Sequence, residues 1–133
     1  MRRSHGKHNK IVCDKLYLQN DIKCNDWVIT TAFYSAIHFI DHLLFPLEYS
    51  EGLKFNNIGQ AHSFIKAESI HQSRSILVGK FLNQFHDQYN FLIKECHHAR
   101  YSNYDVNSVL SDKAVRELDK IISVSDVDKK VPK

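Results

Sequence analysis

Three residues near the end of a long apolar-striped segment are suited to chemistry on RNA: His97, His98 and Arg100. Cleavage of RNA through its 2′-hydroxyl needs a base for that hydroxyl, a cation for the phosphorane and an acid for the leaving oxygen. Either histidine together with Arg100 provides the required groups if a dimer brings two copies together. The purely structural alternative is that these side chains only satisfy the last carbonyls of a helix.

Two tyrosines, Tyr101 and Tyr104, follow the arginine. Aromatic rings beside an arginine can stack on the bases of single-stranded nucleic acid. The alternative is that these rings close the end of a helical bundle, with their hydroxyls bonded to backbone. If the segment binds RNA, we expect Arg100 to face a concave surface with at least one of His97 and His98 beside it.

A second candidate site is formed by His38, Asp41 and His42, which share one helical face. Two histidines one turn apart can share a metal ion, and a carboxylate between them can complete three ligands. The spacing also arises by chance, and a histidine in a bundle core usually hydrogen-bonds to a neighbour. We therefore favour a buried polar group over a metal site, and we expect no cofactor.

The element that must position these groups is a central helix over 25–46, with the sequence NDWVITTAFYSAIHFIDHLLFP. Apolar residues occur on all its faces, which is typical of the centre of a bundle. Asn25 or Asp26 is the predicted N-cap, and Pro46 is the predicted stop. Ionisable residues at mid-length argue against a membrane span. The predicted core residues of this helix are Tyr34, Ile37 and Phe39.

Helical spacing before the central helix predicts a first helix over 4–20, with residues 1–3 flexible. An irregular link is expected over 47–60. Helical spacing resumes at Ala61, and we expect one helix, or two with a break near Ser73, as far as Cys96.

A polar loop follows, and the last helix is predicted to begin at an N-cap Ser111 and to fray over 124–133. No alternating β-branched run is present. The sequence therefore predicts one all-α domain over 1–133, an up-and-down bundle of four to five helices.

The composition sets limits on location and partners. The chain has 133 residues, a net charge of +3, and three cysteines without C-x-x-C spacing. The odd number of cysteines favours a reducing compartment, and the polar N-terminus has no secretory leader, so we expect a cytoplasmic protein that does not enter a membrane. The basic residues of the first 24 positions are interpreted as a solvated helix face rather than a binding arm.

Two segments resemble the HEPN superfamily of small helical domains: DWVITTAFYSAIHFIDHLL, and ARYSNYDV followed after Ser111 by KAVRELDKI. The resemblance implies a homodimer of HEPN-like bundles that acts on RNA or on a cognate protein encoded nearby, in prokaryotic antiviral defence or a toxin–antitoxin system. Many such domains are metal-independent endoribonucleases, and others have lost catalysis and serve as binding modules.

Active members of that superfamily carry an arginine followed, after four to six residues, by a histidine. Arg100 occupies the arginine position, but no histidine follows it at this spacing. A formal match, Arg3 with His8, lies on the first helix, which is the wrong place. We therefore expect an RNA- or protein-binding module, with RNA contacts from Arg100, Tyr101 and Tyr104. The alternatives are an endoribonuclease using Arg100 with His97 or His98, and a metal-binding bundle using His38 and His42.

Overall fold

The computed structural model describes residues 2–19, 24–101 and 106–128, the last three by their backbone alone. This part of the chain is mostly helical, which confirms the all-α expectation in outline. It has six α-helices rather than four to five. The helices are α1 (Arg2–Tyr17), α2 (Asn25–Leu44), α3 (Ile58–Ile65), α4 (Ile70–Phe81), α5 (His86–Tyr101) and α6 (Ser108–Asp128).

The central helix of the fold is α2, which packs against α1, α4, α5 and α6. Its apolar faces form much of the single core, as predicted from a helix that is apolar all round. Phe39 and Ile37 are buried as expected, whereas Tyr34 is only half-buried. None of the described helices has the length and apolarity needed to cross a membrane.

Contacts along α2 fix the directions of its long neighbours. His5 of α1 stacks on His38, and Arg100 of α5 lies near Trp27, so α1 and α5 run antiparallel to α2. Tyr17 donates a hydrogen bond to Asp112 at the start of α6, which places α6 antiparallel to α1. The four long helices therefore alternate in direction around one core.

The start of α2 differs from the prediction. Its N-cap is Cys24 rather than Asn25 or Asp26, and Cys24 makes no capping side-chain hydrogen bond. The side-chain amide of Asn25 instead bonds to residues at the start of α6. Asn25 Nδ2 donates to the Val106 carbonyl at 3.2 Å, and Ser111 Oγ donates to Asn25 Oδ1 at 3.0 Å. Asn25 therefore ties α2 to the start of α6, a role that local sequence does not reveal.

The link after α2 contains a β-hairpin, β1 (Leu47–Ser50) and β2 (Leu53–Phe55), where we expected irregular structure. The strands are antiparallel with Leu47 opposite Phe55, and Gly52 turns the chain with a φ of 80°. Tyr49 packs on Phe55 with ring centroids 5.7 Å apart. A period-two pattern over so few residues is too short to be recognised in the sequence.

The structure has neither the single helix nor the break near Ser73 that we expected, because Ser73 lies within the continuous helix α4. The chain breaks instead at Lys66, which is left-handed with a φ of 58°, and at Leu82, before a 3-10 turn at Asn83–Phe85. Ser69 caps α4 by accepting a hydrogen bond from the Gln72 amide.

The ends of the last helix and of the first also differ from the prediction. The N-cap of α6 is Asn107, whose side chain accepts from the Leu110 amide, while Ser111 lies buried within the helix. Helix α6 continues to Asp128, past residue 124 where we expected fraying. Helix α1 begins at Arg2, within the stretch 1–3 that we expected to be flexible.

Close contact between α1 and α2 occurs at Gly6, whose carbonyl accepts a hydrogen bond from Ser35 Oγ at 2.8 Å. A Cβ atom at Gly6 would lie 2.8 Å from two ring carbons of Phe39, which is only 1% exposed. Glycine is therefore required here for interhelical packing, although it is a poor helix former.

We expect Gly6→Ala to lower the free energy of unfolding by roughly 1–3 kcal/mol, because the buried Phe39 ring must move to admit a methyl group. Urea unfolding measures the loss, with Lys7→Ala at the next, exposed position as the control. A Gly6→Ala protein as stable as the Lys7→Ala protein would contradict the close packing of α1 on α2.

Candidate functional site

A groove of about 450 Å³ lies between α2, the start of α4 and the C-terminal half of α5. We call it the α5 groove. His97, Arg100 and Tyr101 line it, together with His71 of α4 and Phe33 of α2. The structure thus places Arg100 in a concave surface with one of the two neighbouring histidines, which is the arrangement expected from the sequence.

The exposed mouth of the α5 groove is formed by Arg100 and Tyr101, and Trp27 lies beside it, close to Arg100. Its guanidinium carbon lies 6.0 Å from the Trp27 ring centroid and 5.7 Å from the Tyr101 ring centroid. Trp27 is 53% exposed and Tyr101 is 72% exposed, so both rings can accept a further planar partner. The His97 ring lies 5.0 Å from that of Tyr101 and extends this aromatic surface.

Two of the residues predicted to bind or react are not among the residues that line the groove in the described part of the chain. His98 is exposed and is not part of the groove lining, because adjacent positions on a helix point about 100° apart. Tyr104 lies outside the described residues. Of the predicted catalytic set, the structure therefore brings together His97 and Arg100 alone.

A buried ion pair, Asp41 with Arg74, lies next to a residue of the groove lining, His71. Arg74 of α4 donates from Nε to Asp41 Oδ1 at 2.8 Å and from Nη2 to Asp41 Oδ2 at 3.0 Å. Arg74 is 4% exposed and Asp41 is 8% exposed. Burial alone would lower the pKa of Arg74, but the hydrogen bonds and charge of Asp41 raise it, so the arginine stays charged.

His71 contacts this ion pair and also lines the groove. Its Nδ1 atom lies 3.3 Å from Arg74 Nη1, and its ring packs edge-on to Phe33 with centroids 5.1 Å apart. The Tyr89 hydroxyl donates to the His71 carbonyl at 3.2 Å, and burial raises the pKa of Tyr89 to about 12, which keeps that hydroxyl protonated. Burial, and then the charge of Arg74, lowers the pKa of His71.

The inner wall of the groove is apolar. Phe33 is almost fully buried, Ile93 is half-buried and the Cys96 thiol is buried. Burial raises the pKa of Cys96, so this thiol remains protonated and unreactive at neutral pH. The groove therefore combines a cationic, aromatic mouth with an apolar interior that has His71 at its edge.

The other candidate, His38 with His42, has a different environment from the one a metal site needs. The His38 ring stacks on His5 with centroids 3.9 Å apart, and burial and then His5 lower the pKa of His38. Asp41, considered as the third ligand, binds Arg74 through both oxygens. Within the described ranges, no group of three or more His, Cys, Asp or Glu side chains could hold a metal ion.

Sequence reasoning missed three residues of this site: Trp27, His71 and Arg74. A local signal for two of them existed, because His71 and Arg74 lie three positions apart on a helix that Ser69 caps. Trp27 lies in the predicted central helix, and periodicity alone does not show that its ring is exposed. Comparison of the chain with protein-family models, curated proteins and solved structures gives no match.

We expect loss of either charge in the buried pair to be costly. Arg74→Met and Asp41→Leu should each lower the free energy of unfolding by about 3–5 kcal/mol, because each leaves its partner buried and unpaired. The double variant should lose much less than the sum of the two. Urea unfolding of all three, with Arg116→Met as the exposed-arginine control, measures this, and additive losses would contradict coupling.

Proposed function

We propose that the chain is a HEPN-like, homodimeric helical module that binds single-stranded RNA at the α5 groove, within a prokaryotic defence or toxin–antitoxin system. The single observation that carries RNA binding is the position of Arg100, at the mouth of a groove and flanked by two exposed aromatic rings. The HEPN-like bundle, the dimer and the biological setting rest on the resemblance of the sequence.

The chemistry of Arg100 suits a phosphodiester. A guanidinium is charged at all relevant pH values and can donate two parallel hydrogen bonds to phosphate oxygens. Arg100 is exposed, and its contacts with described residues are to aromatic faces rather than to a carboxylate. Among the described residues no carboxylate engages its donors, so an anion that approaches the groove can bind them.

The rings beside Arg100 suit unpaired bases. Exposed aromatic side chains that lie close together can mark a binding surface, and Arg100 contacts both of these rings. Bases stack on such rings irrespective of their identity, and a duplex, whose bases are already stacked, does not offer them. Trp27 and Tyr101 therefore favour a single-stranded nucleic acid over a double-stranded one.

A metal-independent endoribonuclease is the second candidate, and it is favoured by the presence of His97 with Arg100 in one groove. His97 would act on the 2′-hydroxyl or the leaving oxygen, and Arg100 would stabilise the charged phosphorane. The second proton-transferring group would come from the other copy in a dimer. RNA cleavage that resists EDTA and is lost in His97→Ala would favour this candidate over binding alone.

Arg100→Lys keeps the charge of the groove but removes the forked donor. We expect it to weaken single-stranded RNA binding roughly tenfold or more, because lysine cannot bind phosphate in the same bidentate way. Fluorescence anisotropy with a labelled RNA oligonucleotide measures the change. Arg116→Lys, the same substitution at an exposed arginine of α6, is the control, and equal affinities for both variants would contradict the proposal.

Trp27→Ala removes one stacking surface and should cost about 1–3 kcal/mol of RNA binding free energy. Phe64→Ala is a matched control, because Phe64 is also 53% exposed but lies on α3 against the hairpin. The same anisotropy titration compares the two variants. If Phe64→Ala weakens binding as much as Trp27→Ala, the aromatic mouth of the groove is not the RNA site.

A further inference from the structure

The ion pair of Asp41 and Arg74 determines which ring nitrogen of His71 carries the proton. An arginine side chain has donors and no acceptor, so its contact with His71 at 3.3 Å requires a lone pair on Nδ1. A neutral imidazole with its lone pair on Nδ1 has its proton on Nε2. His71 therefore has the Nε2–H tautomer, and its one lone pair is directed at Arg74.

The position of this ring is also constrained. Phe33 packs against it edge-on, and the Tyr89 hydroxyl holds the backbone of the same residue. Arg74, behind the ring, is held in turn by two hydrogen bonds to Asp41. Since Nδ1 faces the buried Arg74, Nε2–H is the polar group of this ring that remains for a ligand in the groove that His71 lines.

We propose that His71, neutral at physiological pH, is a hydrogen-bond donor that binds an acceptor atom on the edge of an unpaired base, an inference that rests on the proposed RNA-binding function. The apolar interior favours this ligand atom over a phosphate oxygen, because burial of an anion beside Phe33 and Cys96 is costly. The phosphate remains at the exposed Arg100. One nucleotide then spans the groove, with its base inward and its phosphate at the mouth.

His71 in the Nε2–H form cannot act as a general base. Its only lone pair is engaged by Arg74, and the arginine cannot give it up while it is held by Asp41. The groups that bear on its protonation come from all three helices around it. They are Asp41 on α2, Arg74 on α4, and Tyr89, His97 and Arg100 on α5.

Two substitutions distinguish the contribution of the Nε2–H donor from that of the rest of the His71 side chain. In His71→Asn, the amide oxygen takes the place of Nδ1 and accepts from Arg74, but no donor reaches the position of Nε2. In His71→Gln, the longer side chain places an N–H near that position. We expect His71→Asn to bind single-stranded RNA about tenfold more weakly, or about 1.4 kcal/mol, and His71→Gln to restore most of the affinity.

Two further measurements test the neutral state directly. Nitrogen-15 NMR of wild-type His71 near pH 7.5 should show the Nε2–H tautomer, and the titration midpoint should lie below the usual histidine pKa of about 6.5. The ratio of wild-type to His71→Gln affinity should stay constant between about pH 7 and pH 8. An Nδ1–H tautomer, titration near pH 6.5, or equal affinity of wild type and His71→Asn would each overturn the inference.

The same titrations distinguish this inference from the proposed function. If wild-type protein does not bind RNA, the function fails and the base contact fails with it. If RNA binds, and Arg100→Lys weakens it while His71→Asn does not, only the role of His71 is overturned. If His71→Asn does not fold, the NMR tautomer and the affinity ratio for His71→Gln still decide the outcome.

Discussion

The ion pair of Asp41 and Arg74 is the constraint on which the rest of the site depends. Two charges have been removed from water, and they are stable there because two guanidinium donors, Nε and Nη2, meet the two carboxylate oxygens. That geometry admits one register of α4 against α2. Since His71 lies three residues before Arg74 on the same helix, fixing the pair also fixes the histidine at the groove.

The other neighbours of α2 complete the groove by ordinary packing. The close approach at Gly6 holds α1 on one side of α2, and Tyr89 of α5 packs near Phe33 on another. The remaining, half-exposed stripe of α2 carries Trp27 and Tyr34. A helix that is central to the core thus also supplies part of a binding surface, because this stripe is left partly uncovered by the neighbouring helices.

The polarity of the groove changes along its depth, and this suits a nucleotide. The mouth has a fixed positive charge and exposed rings, while the interior has apolar walls and a neutral donor. A charged ligand group is stable at the mouth, where water still screens it, and a flat uncharged group is stable inside. The proposed RNA function and the proposed role of His71 both follow from this division, and the resemblance to HEPN domains is a separate argument for RNA.

The sequence alone determined the helical class, the central position of α2 and the choice of Arg100 as a candidate site residue. These depend on apolar periodicity and on residue types within a few positions. It did not determine helix ends: Asn25 and Ser111 are good caps locally, yet the structure uses them to bond α2 to α6. From the sequence we also paired Asp41 with its neighbours along the helix, whereas the structure pairs it with Arg74, 33 residues away.

Only the tertiary structure could place His97 rather than His98 in the groove, expose Trp27, and bring His71 to the groove. Which polar groups meet is decided by the docking of helices that are distant in sequence, and a buried charge takes whichever partner that docking provides.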